Sequence, residues 1–314
     1  MERRDVLLSA GLAAVAATTG FAAQATPNAT KPIDRDRTTP GRRTRPFIHP
    51  RDGECLFYRD WGTGDPVVFL AAWGLPSDMW AYQMVPLSEQ GFRTVAYDRR
   101  GHGRSSDPGA GYDYDSLADD LAAVVDELDL RRVTLVGMSM ASGELVRYLT
   151  RHGSSRVSRL VFVATAATPF PTRTADNPAG IPADRFELFR THALLRDYPK
   201  WLEDNRPPFF TPETSPQMQE WVRSMMLTTS LKALVECNRS GTSTDFRREL
   251  ALIAVPTLVV HGDRDVSAPL ALTGEPTATL IPRATLVVYE GAPHGLFVTH
   301  MDRLTRDVAA FARG

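Results

Sequence analysis

Val133-Thr-Leu-Val-Gly137-Met-Ser139-Met-Ala141-Ser-Gly-Glu-Leu-Val-Arg-Tyr-Leu149 passes from an apolar run through a tight turn into a helix-like stretch, with a serine at the apex. Strand, sharp turn and helix in that order lift the serine hydroxyl above the carboxyl end of a sheet. Small residues on either side let the chain bend that sharply. Gly137 fits the first small position. Ala141 stands where a second glycine is usual, and with nothing beyond Cβ it reads as a tolerated variant. Taken alone, the motif reads more plainly as an ordinary helix N-terminus capped by Ser139.

Two later stretches change that balance. An activated serine needs a base to take its proton and an acid to orient the base. Pro256-Thr-Leu-Val-Val-His-Gly-Asp263-Arg-Asp265 reads as a buried strand entering a turn rich in carboxylates. Leu286-Val-Val-Tyr-Glu-Gly-Ala-Pro-His294-Gly reads as the next strand entering a loop with a histidine. The carboxyl ends of neighbouring parallel strands are where such sheets assemble sites.

The rest of the chain alternates in the same way. Strand-like runs cover Glu54 to Asp60, Val67 to Ala71, Arg93 to Tyr97, Val133 to Val136, Arg159 to Ala164, Thr257 to Val260 and Thr285 to Tyr289. Most are short and continuously apolar, as strands buried on both faces are. Between them, Tyr114 to Leu128 sets Leu117, Leu121, Val124, Val125 and Leu128 on one helical stripe, and His300 to Arg313 repeats the pattern with Leu304, Val308 and Phe311. The alternation predicts an α/β fold with a doubly wound, mostly parallel sheet.

Residues 168–249 break the rhythm. They contain no strand pattern, carry prolines from Pro169 to Pro216, and are rich in Phe186, Phe189, Trp201, Phe209, Phe210, Trp221, Met225 and Met226. This is the pattern of a helical cap inserted between two core strands, over the end of the sheet that holds the serine. An apolar cap excludes water and shapes a pocket for an acyl or aryl group. Most of its aromatic side chains are expected to glue the cap to the core, with Met225, Met226 and Leu227 lining the cavity. The core is then 46–167 together with 250–314.

Composition excludes other classes. The 314 residues carry a net charge of −1, which leaves no electrostatic footprint for nucleic acid or an anionic membrane surface. No C-x-x-C, H-E-x-x-H, P-loop or dinucleotide fingerprint is present, so no metal or nucleotide cofactor is expected. Cys55 and Cys237 do not make a disulfide framework and are expected to be free. The composition is compatible with a homo-oligomer. At the start, Arg3-Arg4, an Ala-rich apolar segment to Phe21 and Ala23-Gln-Ala25 have the layout of a bacterial export signal of the twin-arginine type. The apolar part is shorter than the roughly 20 residues that span a bilayer, so stable membrane association is not expected. Residues 1–25 are therefore expected to be cleaved on export to the periplasm or beyond, and 26–45 read as a disordered leader.

Gly53-Glu-Cys-Leu-Phe-Tyr-Arg-Asp-Trp-Gly, Tyr97-Asp-Arg-Arg-Gly-His-Gly-Arg-Ser, Val136-Gly-Met-Ser-Met with Gly143-Glu-Leu-Val-Arg-Tyr, and Tyr289-Glu-Gly-Ala-Pro-His-Gly together resemble the α/β-hydrolases known as cofactor-free haloperoxidases, aryl esterases and perhydrolases. The resemblance covers roughly residues 46–313. It implies Ser139 as nucleophile, His294 as general base and acid, and Asp265 as the carboxylate behind the imidazole, with Asp263 stabilising the turn and His102 and His261 structural. It also implies an oxyanion hole from the backbone N–H groups of Met140 and Trp73. Relatives carry His-Gly-aromatic-Pro-Leu where this chain has Ala71-Ala-Trp-Gly-Leu75. In perhydrolase-like members the proline at the position of Gly74 fixes a loop carbonyl that accepts a hydrogen bond from peroxide. Glycine there implies that hydrolysis dominates and that Gly74→Pro shifts the balance towards peracid.

The activity expected is cleavage of a small carboxylic ester or lactone through an acyl-enzyme. Perhydrolysis of the haloperoxidase type is the alternative within the same chemistry. A catalytically degraded ligand-binding homologue is the alternative from another class, since one fold hosts many activities.

Overall fold

The computed structural model describes residues 46–314. The export-signal and leader assignments, 1–25 and 26–45, lie outside the described residues. Eight strands form one sheet: β1 (Phe47–Ile48), β2 (Leu56–Trp61), β3 (Pro66–Leu70), β4 (Arg93–Tyr97), β5 (Val133–Met138), β6 (Val157–Val163), β7 (Thr257–Gly262) and β8 (Ala284–Tyr289), in the order β1-β2-β4-β3-β5-β6-β7-β8. The β1/β2 and β2/β4 pairs are antiparallel, and every pair from β4/β3 onwards is parallel. This is the expected doubly wound, mostly parallel sheet. Sequence reading missed only β1, which is two residues long.

Alternation along each central strand explains the two layers. Val67 and Phe69 face one hydrophobic cluster, shared with α1 (Ala81–Glu89) and the last helix, α12 (Met301–Arg313). Val68 and Leu70 face the other, shared with α2 (Tyr114–Glu127) and α3 (Ala141–His152). All five residues of β3 are buried, which is why the strand reads as a continuous apolar run. Each fully buried Leu or Phe contributes roughly 1.5–3 kcal/mol, so the central strands anchor the rigid frame that carries the loops.

Between β6 and β7 the chain forms α4 (Ala183–Phe189), α5 (Leu195–Asp204), α6 (Arg206–Phe209), α7 (Pro216–Met226), α8 (Leu231–Ser243) and α9 (Arg247–Leu250). The only β pairing in this interval is two isolated bridges, Thr172 with Ile181 and Thr174 with Asn177. Ser215 and Ser230 cap α7 and α8 by accepting from the Met218 and Ala233 N–H groups, and Pro216 occupies the first turn of α7, where its missing N–H costs nothing. After β7 come α10 (Gly274–Leu280) and, after β8, α11 (Leu296–Thr299). Among the described residues no helix is long and apolar enough to cross a membrane.

Candidate functional site

Ser139 sits at φ +58°, in the left-handed region that residues with a Cβ rarely adopt. Such a conformation costs on the order of 1–3 kcal/mol and persists where surrounding structure holds it. Here the Ser139 N–H donates to Val163 O at 2.9 Å. Its carbonyl accepts from Ser142 Oγ at 2.7 Å and Ala166 N–H at 3.3 Å. Gly137 leaves room for the helix that follows: a Cβ there would lie 2.9 Å from Leu145 Cδ1 and 3.1 Å from Ala141 O. Ala141 is the first residue of α3 and lies outside the positive-φ set, so its methyl carries no backbone strain. The helix-cap reading of Ser139 does not hold, because no side chain caps α3 and the Ser139 hydroxyl turns to a histidine instead.

That histidine is His294. Its Nε2 is 3.0 Å from Ser139 Oγ, and its Nδ1 is 2.6 Å from Asp265 Oδ2. The other oxygen of Asp265 accepts from the Ala268 N–H at 2.7 Å. Burial works to raise the Asp265 pKa, but the imidazole of His294, the contact with His261 and the Ala268 N–H outweigh it and hold the carboxyl well below the usual carboxylate range. Ser139, Asp265 and His294 are all buried, and the structure brings all three together.

The two loops meet closely because Gly262 has no side chain; a Cβ there would lie 2.0 Å from Ala292 O. Asp263 does not touch the imidazole. Its Oδ1 accepts from the Gly291 N–H at 2.7 Å, tying the β8 turn to the β7 turn. His261 is closer to the site than a strand-end structural histidine would be: its Nε2 is 2.8 Å from Ala268 O and 3.4 Å from Asp265 Oδ2. A histidine closing a strand four residues before the acid is the sequence signal for this contact. His102 is buried, with Nδ1 2.9 Å from Arg100 O, and does not line the cavity beside Ser139.

Trp73 and Met140 both border the cavity beside Ser139. Among the described residues neither backbone N–H donates to a protein acceptor, which leaves both free for an oxyanion. The neighbouring groups are fixed: Trp73 Nε1 donates to Leu234 O at 2.9 Å, and Tyr114 OH donates to Met140 O at 3.1 Å. Gly74 sits at φ +74°, with its carbonyl accepting from Thr229 Oγ1 at 2.9 Å. Proline is locked near φ −65°, so the expected retuning by Gly74→Pro does not fit this backbone.

The cavity has a volume of about 800 Å³ and lies between the carboxyl ends of the strands and the cap. Met226 lines it. Met225 is buried but borders other parts of the core, and Leu227 is 41% exposed. The expectation that all three face the cavity is thus corrected: neighbouring residues of a helix point about 100° apart, so three in a row cannot share a face. The aromatic residues are corrected the other way. Phe186, Phe189, Trp201, Phe209 and Phe210 all line the cavity, while Trp221 packs against Tyr82. Trp73 from the core meets Trp201 and Phe189 from the cap at ring distances of 5.7 and 6.1 Å, so cap adhesion and cavity wall are the same surface.

The cap also touches the histidine. The Phe209 ring lies 5.9 Å from the His294 ring, and Phe209 O accepts the Gly295 N–H at 3.1 Å. A Cβ at Gly295 would come within 2.3 Å of that same carbonyl. Both cysteines are free, with Cys237 buried in the middle of α8 and Cys55 partly exposed.

A family profile described as alpha/beta hydrolase fold matches residues 65–301. A non-heme haloperoxidase of Rhodococcus erythropolis is 39% identical over 272 residues, covering 85% of this chain and 98% of the relative. A bifunctional esterase/perhydrolase of Acinetobacter calcoaceticus is 36% identical over 277 residues, covering 85% and 99%. Among solved structures, an esterase from Exiguobacterium antarcticum superposes with a TM-score of 0.82 at 32% identity, covering 86% of this chain and all of that one.

Proposed function

From the premise that this chain belongs to the alpha/beta hydrolase fold family and its haloperoxidase-like group, we propose that it is a serine hydrolase cleaving carboxylic esters, lactones included, through an acyl-enzyme. The observation that carries this reading is the unbroken relay from Ser139 Oγ through His294 to Asp265, opening onto an apolar cavity beside two unengaged N–H groups.

In the proposed reaction His294 Nε2 takes the hydroxyl proton as Ser139 Oγ bonds to the ester carbonyl carbon. The carbonyl oxygen gains the negative charge and is met by the Trp73 and Met140 N–H groups. Asp265 stays ionised and stabilises the imidazolium. Collapse of the tetrahedral centre breaks the bond to the alcohol oxygen, which leaves with the proton from His294. Water then repeats the sequence on the acyl-enzyme, releasing the acid and restoring Ser139.

Aromatic walls and a volume of about 800 Å³ suit an apolar, ring-bearing acyl or alcohol group better than a charged one. Arg206, Arg223 and Arg247 at its edge are each paired with an acid, so they offer no uncommitted cation to an anionic substrate. Similarity to haloperoxidase and perhydrolase relatives supports a second reading, in which hydrogen peroxide replaces water on the acyl-enzyme and yields a peracid. The Gly74 carbonyl, already engaged by Thr229, supports water as the main acceptor. Export by way of residues 1–25 belongs to the same proposal and is checked by the N-terminal sequence of protein recovered outside the cytoplasm.

A fluorophosphonate tests the reading directly. Stoichiometric labelling at Ser139, lost in Ser139→Ala, together with turnover on a panel of aryl and alkyl esters is the expected result. A folded protein that neither labels nor turns over any ester is a binding protein.

A further inference from the structure

Arg99, two residues past the end of β4, is 2% exposed and uses all five of its N–H donors. Nε donates to Glu144 Oε1 at 2.9 Å, and Nη2 donates to the same oxygen and to Ala71 O, the latter at 2.7 Å. Nη1 makes two longer contacts of 3.5 Å, to Ala72 O and His102 Nε2. Because His102 Nδ1 faces a carbonyl oxygen and must carry the proton, its Nε2 is free to accept from Arg99. Burial and the neighbouring Arg99 charge hold the His102 pKa at about 3, so it stays an acceptor at ordinary pH.

The partners are not scattered. Ala71 and Ala72 immediately precede Trp73, which carries one free N–H. Glu144 lies on α3, whose first turn follows Met140, which carries the other. We propose that Arg99 is a positioning residue that sets the spacing of the two oxyanion donors, by tying the Ala71-Ala72 peptides to Glu144 on the nucleophile helix. The inference rests on reading Trp73 and Met140 as those donors. It also accounts for how a loop with Ala71-Ala72 in place of His-Gly keeps its shape: the restraint is applied to the carbonyl side of the peptides and does not depend on their side chains.

Lysine retains the charge at this position but lacks the planar fork that reaches both partners at once. In Arg99→Lys, kcat on a simple aryl ester is expected to fall about ten- to a hundredfold with KM within about twofold, since the donors act on the transition state. Affinity for an arylboronic acid, which forms a tetrahedral adduct on the serine, falls by the same factor, and amide exchange across residues 71–75 speeds up. Unchanged kcat and boronate affinity in a folded Arg99→Lys protein overturn the proposal. So does a loss of kcat with exchange across 71–75 unchanged. Should Arg99→Lys not fold, Glu144→Gln, which keeps an oxygen for Arg99 Nε and removes the charge, is expected to move all three readouts in the same direction. No change there overturns the proposal equally. If the unmodified protein neither turns over esters nor binds the boronate, the hydrolase reading falls, and the exchange comparison alone still judges the tie.

Discussion

His294 Nδ1 lies 2.6 Å from Asp265 Oδ2, while Asp263, two residues earlier and equally a carboxylate, spends its Oδ1 on the Gly291 N–H. The chain has two acids in one turn and gives them separate tasks, one facing the imidazole and one stitching two loops together.

Substitution at the two positions separates the tasks. Asp265→Asn is expected to lower kcat by on the order of 10³ to 10⁴, because the amide cannot hold the imidazole in the reactive tautomer. Asp263→Asn keeps an oxygen acceptor for Gly291 and costs less than about tenfold. Ser139→Ala and His294→Ala each remove nearly all turnover, and the double variant is no worse than either single one. Steady-state kinetics on one ester, with circular dichroism to verify folding, decides it; a larger loss at 263 than at 265 reverses the roles.

Acid stability carries the same signature. Since the folded state holds Asp265 below its ordinary range, the unfolded chain takes up the proton first as pH falls. The stabilisation is therefore fully present above the unfolded value of about 3.9 and drains away as pH drops through the lower folded value. Urea midpoints of wild type and Asp265→Asn should differ most near neutrality, and the gap should narrow progressively as pH falls below about 4. A constant gap across that range would mean that the carboxylate is not held in its charged form by the fold.

Gly74 governs the third expectation. With φ at +74° and a Cβ already crowded at 3.2 to 3.3 Å by Leu234, Met226 and Tyr198, the position resists any side chain. Gly74→Pro should lower the melting temperature and total activity together, without converting the enzyme to peracid formation. The unmodified protein, given an ester at fixed peroxide, should release mostly acid. Measuring acid against peracid for both proteins settles the point, and a predominance of peracid in the wild type contradicts it.

The two thiols should behave differently. Cys237 is fully buried, and burial pushes its thiol pKa up to about 12, whereas Cys55 is partly exposed beside His49. A disulfide reagent should modify Cys55 in the native protein and reach Cys237 only on unfolding. Rapid modification of Cys237 under native conditions, located by peptide mapping, speaks against this packing of α8 on the core.

Local signals made much of this legible. Arg93–Tyr97 has the bounds read from its sequence, because the four apolar or β-favouring residues Thr94 to Tyr97, between a glycine-bearing turn and Asp98, leave little choice. The serine turn, the carboxylate turn and the histidine loop each follow such a strand, so their meeting at one end of the sheet follows from parallel order. What stayed hidden depends on pairing across long separations. Nothing next to Arg99 points to Glu144, 45 residues away, although an acid on the buried stripe shared with Ala141, Leu145 and Tyr148 marks a group in need of a partner. In the cap, prolines and short helices set which face turns inward, and hydrophobicity alone did not distinguish Met226 from Leu227.

The bond from Gly295 to Phe209 O has a bearing on engineering. Exchanging caps among related folds is an attractive way to change selectivity, and it treats the inserted segment as a detachable module. In this protein the insert supplies a main-chain carbonyl to the residue after His294, at a spot where even a methyl group on Gly295 would collide. A grafted segment that fills the cavity but omits that carbonyl would leave His294 on an unsupported loop. A successful chimera would therefore be chosen first by how it meets Gly295 and only afterwards by the pocket it encloses.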